Sequence, residues 1–253
     1  MNPATALIVA AVGYLIGSVS FARLVTRLVA PGEELTGVEF HVPGTEETVE
    51  VHAIHGTAVA NRLGSRYGCL TASLDILKVA IPALALKVAY PGTRYFLITA
   101  AMGLVGHNWP VYHRFKGGRG LSAIYGGFLV IDWLGTLVTS VVAGFLGLVV
   151  FRYVLVELSV LVAYAGGIVL MIPWIWFRTH DVAYLIYVVF ANAMYAIAMI
   201  PDIRMMQDVR RRGIEIDLAA QMDATPMGRG LQRMAEWFKG LRGTTSEHGR
   251  HDR

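Results

Sequence analysis

Residues 106–120 read Gly-His-Asn-Trp-Pro-Val-Tyr-His-Arg-Phe-Lys-Gly-Gly-Arg-Gly and place a basic, glycine-rich loop between two strongly apolar segments. Glycine permits turns in which successive backbone N–H groups converge on an anion, and the Lys and Arg of Lys-Gly-Gly-Arg-Gly add positive charge. The apolar segment from Leu121 supplies a helix N-terminus. The loop is therefore predicted to hold a phosphate at a membrane face. A solvated loop that is basic because cytoplasmic loops are basic is the alternative.

The composition indicates an integral membrane protein. Hydrophobic residues make up 55% of the 253 residues and charged residues only 16%, whereas a soluble domain carries roughly 25% charged residues. With one cysteine, no intramolecular disulfide and no cysteine-based metal centre can form.

Apolar runs of residues divide the chain into candidate membrane spans. They cover residues 4–22, 68–90, 95–105, 121–131, 134–151, 154–177 and 182–200. A helical span needs about 20 mostly apolar residues, so the third and fourth runs are short. We predict an all-α polytopic membrane protein with about seven transmembrane helices, and six is the nearest alternative.

The arginines and lysines predict the orientation. If the N-terminus lies outside, the inner segments hold most of the cations, including Arg119 and residues 210–212, while the outer loops hold only Arg94 and Arg178. This asymmetry favours an N-out, C-in topology. Six spans would place residues 210–212 outside, so the charge pattern supports seven.

Two segments are predicted to lie in the cytoplasm. In the loop 31–67, residues 37–42 and 47–52 alternate apolar and polar positions around Pro-Gly-Thr, which predicts a β-hairpin insertion between helices one and two. We assign residues 1–201 to the membrane domain and residues 202–253 to a basic amphipathic helical tail with a disordered end.

Asp75 and Lys78 are charged residues within the second apolar run. Their spacing of three places both on one helix face, and each alone would cost roughly 2.5–3.5 kcal/mol at the membrane centre. They are predicted to face the bundle interior and either each other or a polar cleft. A buried pair that only fixes helix packing and a pair that supports a site both remain open.

Five motifs carry a family resemblance. In chain order they are residues 14–21 (Tyr-Leu-Ile-Gly-Ser-Val-Ser-Phe), 62–68 (Arg-Leu-Gly-Ser-Arg-Tyr-Gly), 74–78 (Leu-Asp-Ile-Leu-Lys), 106–120 and 152–154 (Arg-Tyr-Val). Together they resemble the bacterial acyl-phosphate:glycerol-3-phosphate acyltransferases, the PlsY family. The similarity runs from helix one to the start of helix six.

The resemblance implies a seven-helix enzyme of the bacterial inner membrane with its N-terminus outside and its active face in the cytoplasm. Such enzymes move an acyl chain from acyl phosphate to the 1-hydroxyl of glycerol 3-phosphate, which releases phosphate and gives lysophosphatidic acid for phospholipid synthesis. No cofactor, metal or nucleic acid is expected. The expected partners are the two substrates and membrane lipids, and the chain is expected to act as a monomer.

The resemblance also implies the site residues. The expected catalytic residues are His107, Lys116 and Arg119, where Arg119 stands at a position that is usually lysine in the family. The expected phosphate-binding residues are Ser18, Thr57, Gly117, Gly118 and Gly120, and the expected supporting residues are Asp75 and Lys78. Asn61 is added as a candidate for phosphate binding and His55 as a candidate for support, because they are polar residues near Thr57 and not because the family has them. His107 is expected to orient the loop or accept a proton, and a purely structural histidine is the alternative.

Two regions depart from the family pattern. Residues 51–58 (Val-His-Ala-Ile-His-Gly-Thr-Ala) replace a Ser-Gly-Asn-x-Gly-Ala-Thr-Asn loop and keep only Thr57 and one glycine. Residues 199–204 (Met-Ile-Pro-Asp-Ile-Arg) stand where the family has a His and an Asn within a basic run. His52 and His55 are candidates to replace the lost polar groups, and no nearby carboxylate or cysteine supports a metal site with His41.

Two other functions stay open from the sequence. A catalytically silent relative that binds anionic lipid or a partner is suggested by the two departures. A small anion transporter is suggested by the charges in helix two, although no inverted repeat is evident. No aspartate lies five residues after any histidine, which argues against the acyltransferases that use a His-x-x-x-x-Asp motif.

Overall fold

The computed structural model describes residues 1–32, 35, 38–41, 48–51, 56–147 and 156–211. Its helices are α1 (Pro3–Gly17), α2 (Phe21–Val29), α3 (Gly56–Leu63), α4 (Ser65–Ala89), α5 (Tyr95–Asn108), α6 (Leu121–Phe145), α7 (Val156–Thr179) and α8 (Val182–Arg211), with a 3-10 turn at Val111–His113. His55 and the predicted tail beyond residue 211 lie outside the described residues.

Four helical stretches in the described chain are long and apolar enough to cross a membrane. They are Pro3–Val29, Ser65–Ala89, Leu121–Phe145 and Val182–Met205. Helix α5 has only 14 residues, in line with the short third run of the sequence. The structure therefore supports a multi-pass helical membrane protein.

The first apolar run was predicted as one helix, but the structure interrupts it. Helix α1 ends at Gly17 and α2 begins at Phe21. The Lys78 ammonium on α4 donates a hydrogen bond of 2.7 Å to the Val19 carbonyl inside this interruption. Hydropathy does not reveal the break, because the residues on both sides of it are apolar.

Helix α6 contains a second interruption, at Asp132, which has non-helical backbone angles (φ −151°, ψ 94°). A Cβ atom added to Gly167 of α7 would lie 2.9 Å from the Tyr125 hydroxyl and 3.1 Å from the Ser140 Cα. Fifteen residues of straight helix span about 22 Å, so a straight α6 would not bring both residues to one glycine. The chain therefore changes direction at Asp132, between the fourth and fifth apolar runs.

The main core lies among α4, α5, α6, α7 and α8. Its largest fully buried side chains include Leu104, Phe128, Ile168, Met171 and Val188. A smaller core joins α2, α3 and the start of α4. The strands β1 (Val38–His41) and β2 (Thr48–Val51) pair antiparallel with Val38 opposite Val51, and the residues that connect them lie outside the described chain.

Helices α1 and α5 approach each other through glycines. A Cβ atom on Gly13 would lie 2.6 Å from the Thr99 carbonyl oxygen, and one on Gly17 would lie 2.1 Å from the Gly103 carbonyl oxygen. Gly13 and Gly17 form a Gly-x-x-x-Gly pair, which membrane helices use to bring their backbones together. This contact fixes the end of α1 against α5.

We expect Gly17→Ala to destabilise the fold by about 1–3 kcal/mol, because the new methyl group would overlap a backbone oxygen that cannot move alone. Gly144→Ala is the matched control, since among the described residues no atom beyond its chain neighbours and its own helix backbone lies within 4 Å of the added Cβ. Thermal unfolding in detergent measures both variants. Equal stability of Gly17→Ala and Gly144→Ala would contradict the close packing of α1 on α5.

Candidate active site

A small crevice, with an interior of only about 10 Å³, lies where the end of α1, the middle of α4, the end of α5 and residues 116–120 (the glycine loop) meet. This volume is about that of one water molecule. Its walls combine backbone from two loops with three buried charged or titratable side chains. The lining residues are Gly17, Ser18, Val19, Ser20, Asp75, Lys78, His107, Pro110, Gly117 and Gly118. Six of the residues expected at the site thus lie together.

Three of these side chains form one buried network. The Asp75 carboxylate lies 2.7 Å from the Lys78 ammonium and 3.5 Å from His107 Nδ1. All three residues are less than 10% exposed. The predicted pairing of Asp75 with Lys78 is present, and it extends to the histidine.

The glycine loop presses against the end of α5, and Cβ atoms have no room there. A Cβ atom on Gly117 would lie 2.3 Å from the His107 carbonyl oxygen, and one on Gly118 would lie 2.3 Å from His107 Nε2. The Gly118 N–H donates to the His107 carbonyl at 3.2 Å. The Gly118 amide therefore holds the loop on α5, whereas the sequence suggested that it would point at a phosphate.

Gly120 completes this contact as the N-cap of α6 with φ +88°. Asn108, at the end of α5, is 3% exposed, and neither its amide nitrogen nor its amide oxygen has a hydrogen-bond partner in the described chain. A Cβ atom on Gly120 would lie 2.5 Å from Asn108 Oδ1. Buried amides are nearly always satisfied, so Asn108 is a candidate to contact a ligand or an ordered water. Asn108 belongs to the motif of residues 106–120, but the motif predicts no role for it.

Ser18 links the end of α1 to the loop. Its hydroxyl donates to the Tyr14 carbonyl at 2.8 Å and accepts a long contact of 3.4 Å from the Val111 N–H. The Tyr14 hydroxyl donates to the Trp109 carbonyl at 2.9 Å. Ser18 is fully buried and lines the crevice.

Arg23 contacts the glycine loop, and no such contact is predicted from the sequence. Its Nη2 donates to the Lys116 carbonyl at 2.9 Å, and its Nη1 is buried without a hydrogen-bond partner among the described residues. Partial burial lowers the pKa of His113, and the charges of Arg23 and Lys78 lower it further. Arg23, Lys78 and His113 therefore share one electropositive region. In the sequence, the one indication of this contact is that Arg23 follows closely after the Gly-Ser motif of helix one.

Lys116 and Arg119 are the sequence neighbours of Gly117 and Gly118, but they are not among the residues that line the crevice. Arg119 forms a two-point ion pair with Asp202 of α8, in which Arg119 Nε lies 2.6 Å from Asp202 Oδ2. The Lys116 residue is exposed. The sequence did not foresee the partner of Arg119, which lies 83 residues further along the chain.

Other expected site residues lie elsewhere. Thr57 and Asn61 are on exposed positions of α3 and are not among the residues that line the crevice. In the described ranges, no group of three or more His, Cys, Asp or Glu side chains has the geometry to hold a metal ion.

Comparisons with known proteins show the family of the chain. The family model described as glycerol-3-phosphate acyltransferase matches residues 7–211. A relative of that name from Mesoplasma florum is 32% identical over 183 residues, which cover 69% of this chain and 65% of the relative. One from Mycoplasma mycoides subsp. mycoides is 29% identical over 67% of this chain and 61% of its own length. The chain thus spans slightly less than two thirds of these relatives.

Two solved structures share the fold. Both are of PlsY (YgiH), described as an integral membrane glycerol 3-phosphate acyltransferase, one in a glycerol 3-phosphate form and one in a lysophosphatidic acid form. The first has a TM-score of 0.62 at 23% identity and covers 81% of this chain and 93% of the PlsY chain. With the match to the family model over most of its length, the chain belongs to the glycerol-3-phosphate acyltransferase family.

Proposed function

We propose that the protein transfers a fatty acyl group from acyl phosphate to the 1-hydroxyl of glycerol 3-phosphate and makes lysophosphatidic acid for phospholipid synthesis. The observation that carries this proposal is the crevice, in which the glycine loop and the end of α1 enclose the Asp75, Lys78 and His107 network. Family membership and the relatives that are named for this activity support it.

The chemistry makes limited demands on the protein. The hydroxyl oxygen of glycerol 3-phosphate attacks the acyl carbon, and the bond to the phosphate oxygen breaks with its electron pair on the phosphate. Because phosphate is a good leaving group, catalysis consists mainly of orienting two anions and stabilising the developing charge. We assign phosphate binding to Lys116, Arg119 and the glycine-loop amides other than that of Gly118, with Ser18 at the end of α1.

We assign His107 to the proton of the attacking hydroxyl. The Asp75 carboxylate faces Nδ1 and favours the tautomer with hydrogen on Nδ1, which leaves Nε2 as the basic nitrogen. Nε2 is also the ring atom beside Gly118 at the crevice. Asp75 and Lys78 then support the site by fixing the ring and the end of α1.

The remaining assignments are also proposals. We propose seven membrane crossings with the N-terminus outside, the crevice at the cytoplasmic face of the bacterial inner membrane, and residues 202–253 as a cytoplasmic tail. The positions of the charged residues support this orientation. Lys87, Arg94 and Arg178 contact Val130, Asp181 and Asp132 respectively, and all six residues belong to segments that we place at the outer end.

The transporter hypothesis was suggested by the two charged residues of helix two, and these have local partners. Lys78 is held by Asp75 and the Val19 carbonyl, and Asp75 also faces His107. Both charges therefore have local partners next to the crevice. The silent relative remains the second candidate, because Thr57 and Asn61 are absent from the crevice lining and Arg119 is paired with Asp202.

We expect Gly118→Ala to lower kcat by about 100-fold, because its new methyl group would displace the His107 ring, and a shift of about 1 Å in an active site costs this much. Lys116→Ala should instead raise the KM for glycerol 3-phosphate. Purified protein in lipid, supplied with radiolabelled glycerol 3-phosphate and palmitoyl phosphate, measures both, with Gly144→Ala as control. Turnover that survives both changes would refute the site, and an inactive parent protein would favour the silent relative.

We expect Asp75→Asn to lower turnover by about 10- to 100-fold, as the loss of a group that orients a functional side chain does. It also removes the anion beside the buried Lys78, which should destabilise the protein by about 3–5 kcal/mol. Activity measured well below the unfolding temperature separates the two effects. Asp208→Asn is the control, since Asp208 forms an exposed pair with Arg211 at 3.9 Å. Unchanged kcat in folded Asp75→Asn would exclude the orienting role.

A further inference from the structure

The ion pair between Arg119 and Asp202 connects the glycine loop to the end of α8. Arg119 offers Nε and Nη2 to the two carboxylate oxygens, with Nε 2.6 Å from Oδ2. The two side chains are only 15% and 16% exposed. Two parallel contacts between a guanidinium and a carboxylate fix the orientation of the guanidinium as well as its position.

An arginine occupies the last charged position of the Lys-Gly-Gly-Arg-Gly run. A lysine is a compact charge that can turn freely, whereas arginine presents a rigid fork. An arginine at this position can bind a carboxylate along one edge and still offer N–H groups on another.

We propose that Asp202 is a positioning residue that holds Arg119 for a substrate phosphate. Asp202 takes up the edge of the guanidinium formed by Nε and Nη2, so Nη1 and the second Nη2 hydrogen take no part in the ion pair. That free edge is the bidentate donor that phosphate oxygens bind. This inference rests on the proposed function, in which Arg119 binds a substrate phosphate.

The opposite role for Asp202 gives an opposite result. A carboxylate that only competed with phosphate for Arg119 would weaken substrate binding, and its removal would lower the KM and Kd for glycerol 3-phosphate. A carboxylate that positions Arg119 strengthens binding, because the side chain is ordered before the substrate arrives. Removal of Asp202 then raises both constants.

A double-mutant cycle tests the proposal, with the full chain in lipid, glycerol 3-phosphate as the titrated ligand, and turnover measured in parallel. Arg119→Ala should raise the Kd and KM by about 10-fold or more, and Asp202→Asn should raise them by a similar factor. Asp202→Glu should recover part of the loss. The double variant should be no weaker than Arg119→Ala alone, because Asp202 acts only through Arg119.

Asp181→Asn is the matched control. It weakens the ion pair between Arg94 and Asp181 at the other end of α8, and asparagine can still accept the helix-capping hydrogen bond that Asp181 Oδ1 receives from the Ala183 N–H. We expect its Kd and KM to equal those of the parent. This control shows whether loss of any such pair on α8 is enough to disturb binding.

The outcomes separate the two levels of the hypothesis. If Arg119→Ala leaves the Kd unchanged, the assignment of Arg119 to phosphate fails and the role of Asp202 fails with it. A second case is that Arg119→Ala weakens binding but Asp202→Asn strengthens binding or leaves it unchanged. A third is that the effects of the two substitutions add in full in the double variant. In both of these cases only the role of Asp202 is overturned. Equal losses in Asp181→Asn and Asp202→Asn would likewise reduce Asp202 to a structural residue.

Discussion

Two lysines of α4 satisfy backbone carbonyls at two interruptions of neighbouring helices. Lys78 donates to Val19 between α1 and α2, and Lys87 donates to Val130, two residues before the non-helical Asp132. A break in a helix frees backbone carbonyls, and a carbonyl that is withdrawn from water without a hydrogen bond is costly. One helix thus stabilises two sharp changes of direction, and the crevice forms at the first of them.

The same close contacts build the fold and the site. Gly17 lets α1 touch α5, and the next residue, Ser18, reaches the loop. Gly117 and Gly118 let that loop lie directly on the end of α5, where the His107 ring is trapped between Asp75 and Gly118. A small shift of any of these helices therefore moves the histidine. This coupling explains why activity and stability must be measured together in variants of these residues.

Local sequence patterns predicted the parts of the site that depend on nearby residues. The spacing of Asp75 and Lys78 places them on one helix face, and the glycine-rich stretch is one continuous segment. Contacts between distant segments left no such pattern: Arg23 reaches the Lys116 carbonyl across 93 residues, and Arg119 reaches Asp202 across 83. Hydropathy placed the boundary between the fourth and fifth apolar runs near Asp132, because this charged residue interrupts the apolar sequence. Hydropathy missed the helix break after Gly17, because Val19 and Phe21 are apolar.

Lys78 and Arg119 are each paired with a carboxylate, and this determines how an anion would be attracted. Lys78 is paired with Asp75 and Arg119 with Asp202. Partial burial and the charges of Arg23 and Lys78 lower the pKa of His113, which disfavours a further cation there. Exposed cations such as Lys116 therefore supply the long-range attraction. Salt weakens this attraction at distances beyond about 10 Å. The paired groups act at short range, where their fixed geometry matters more than their net charge.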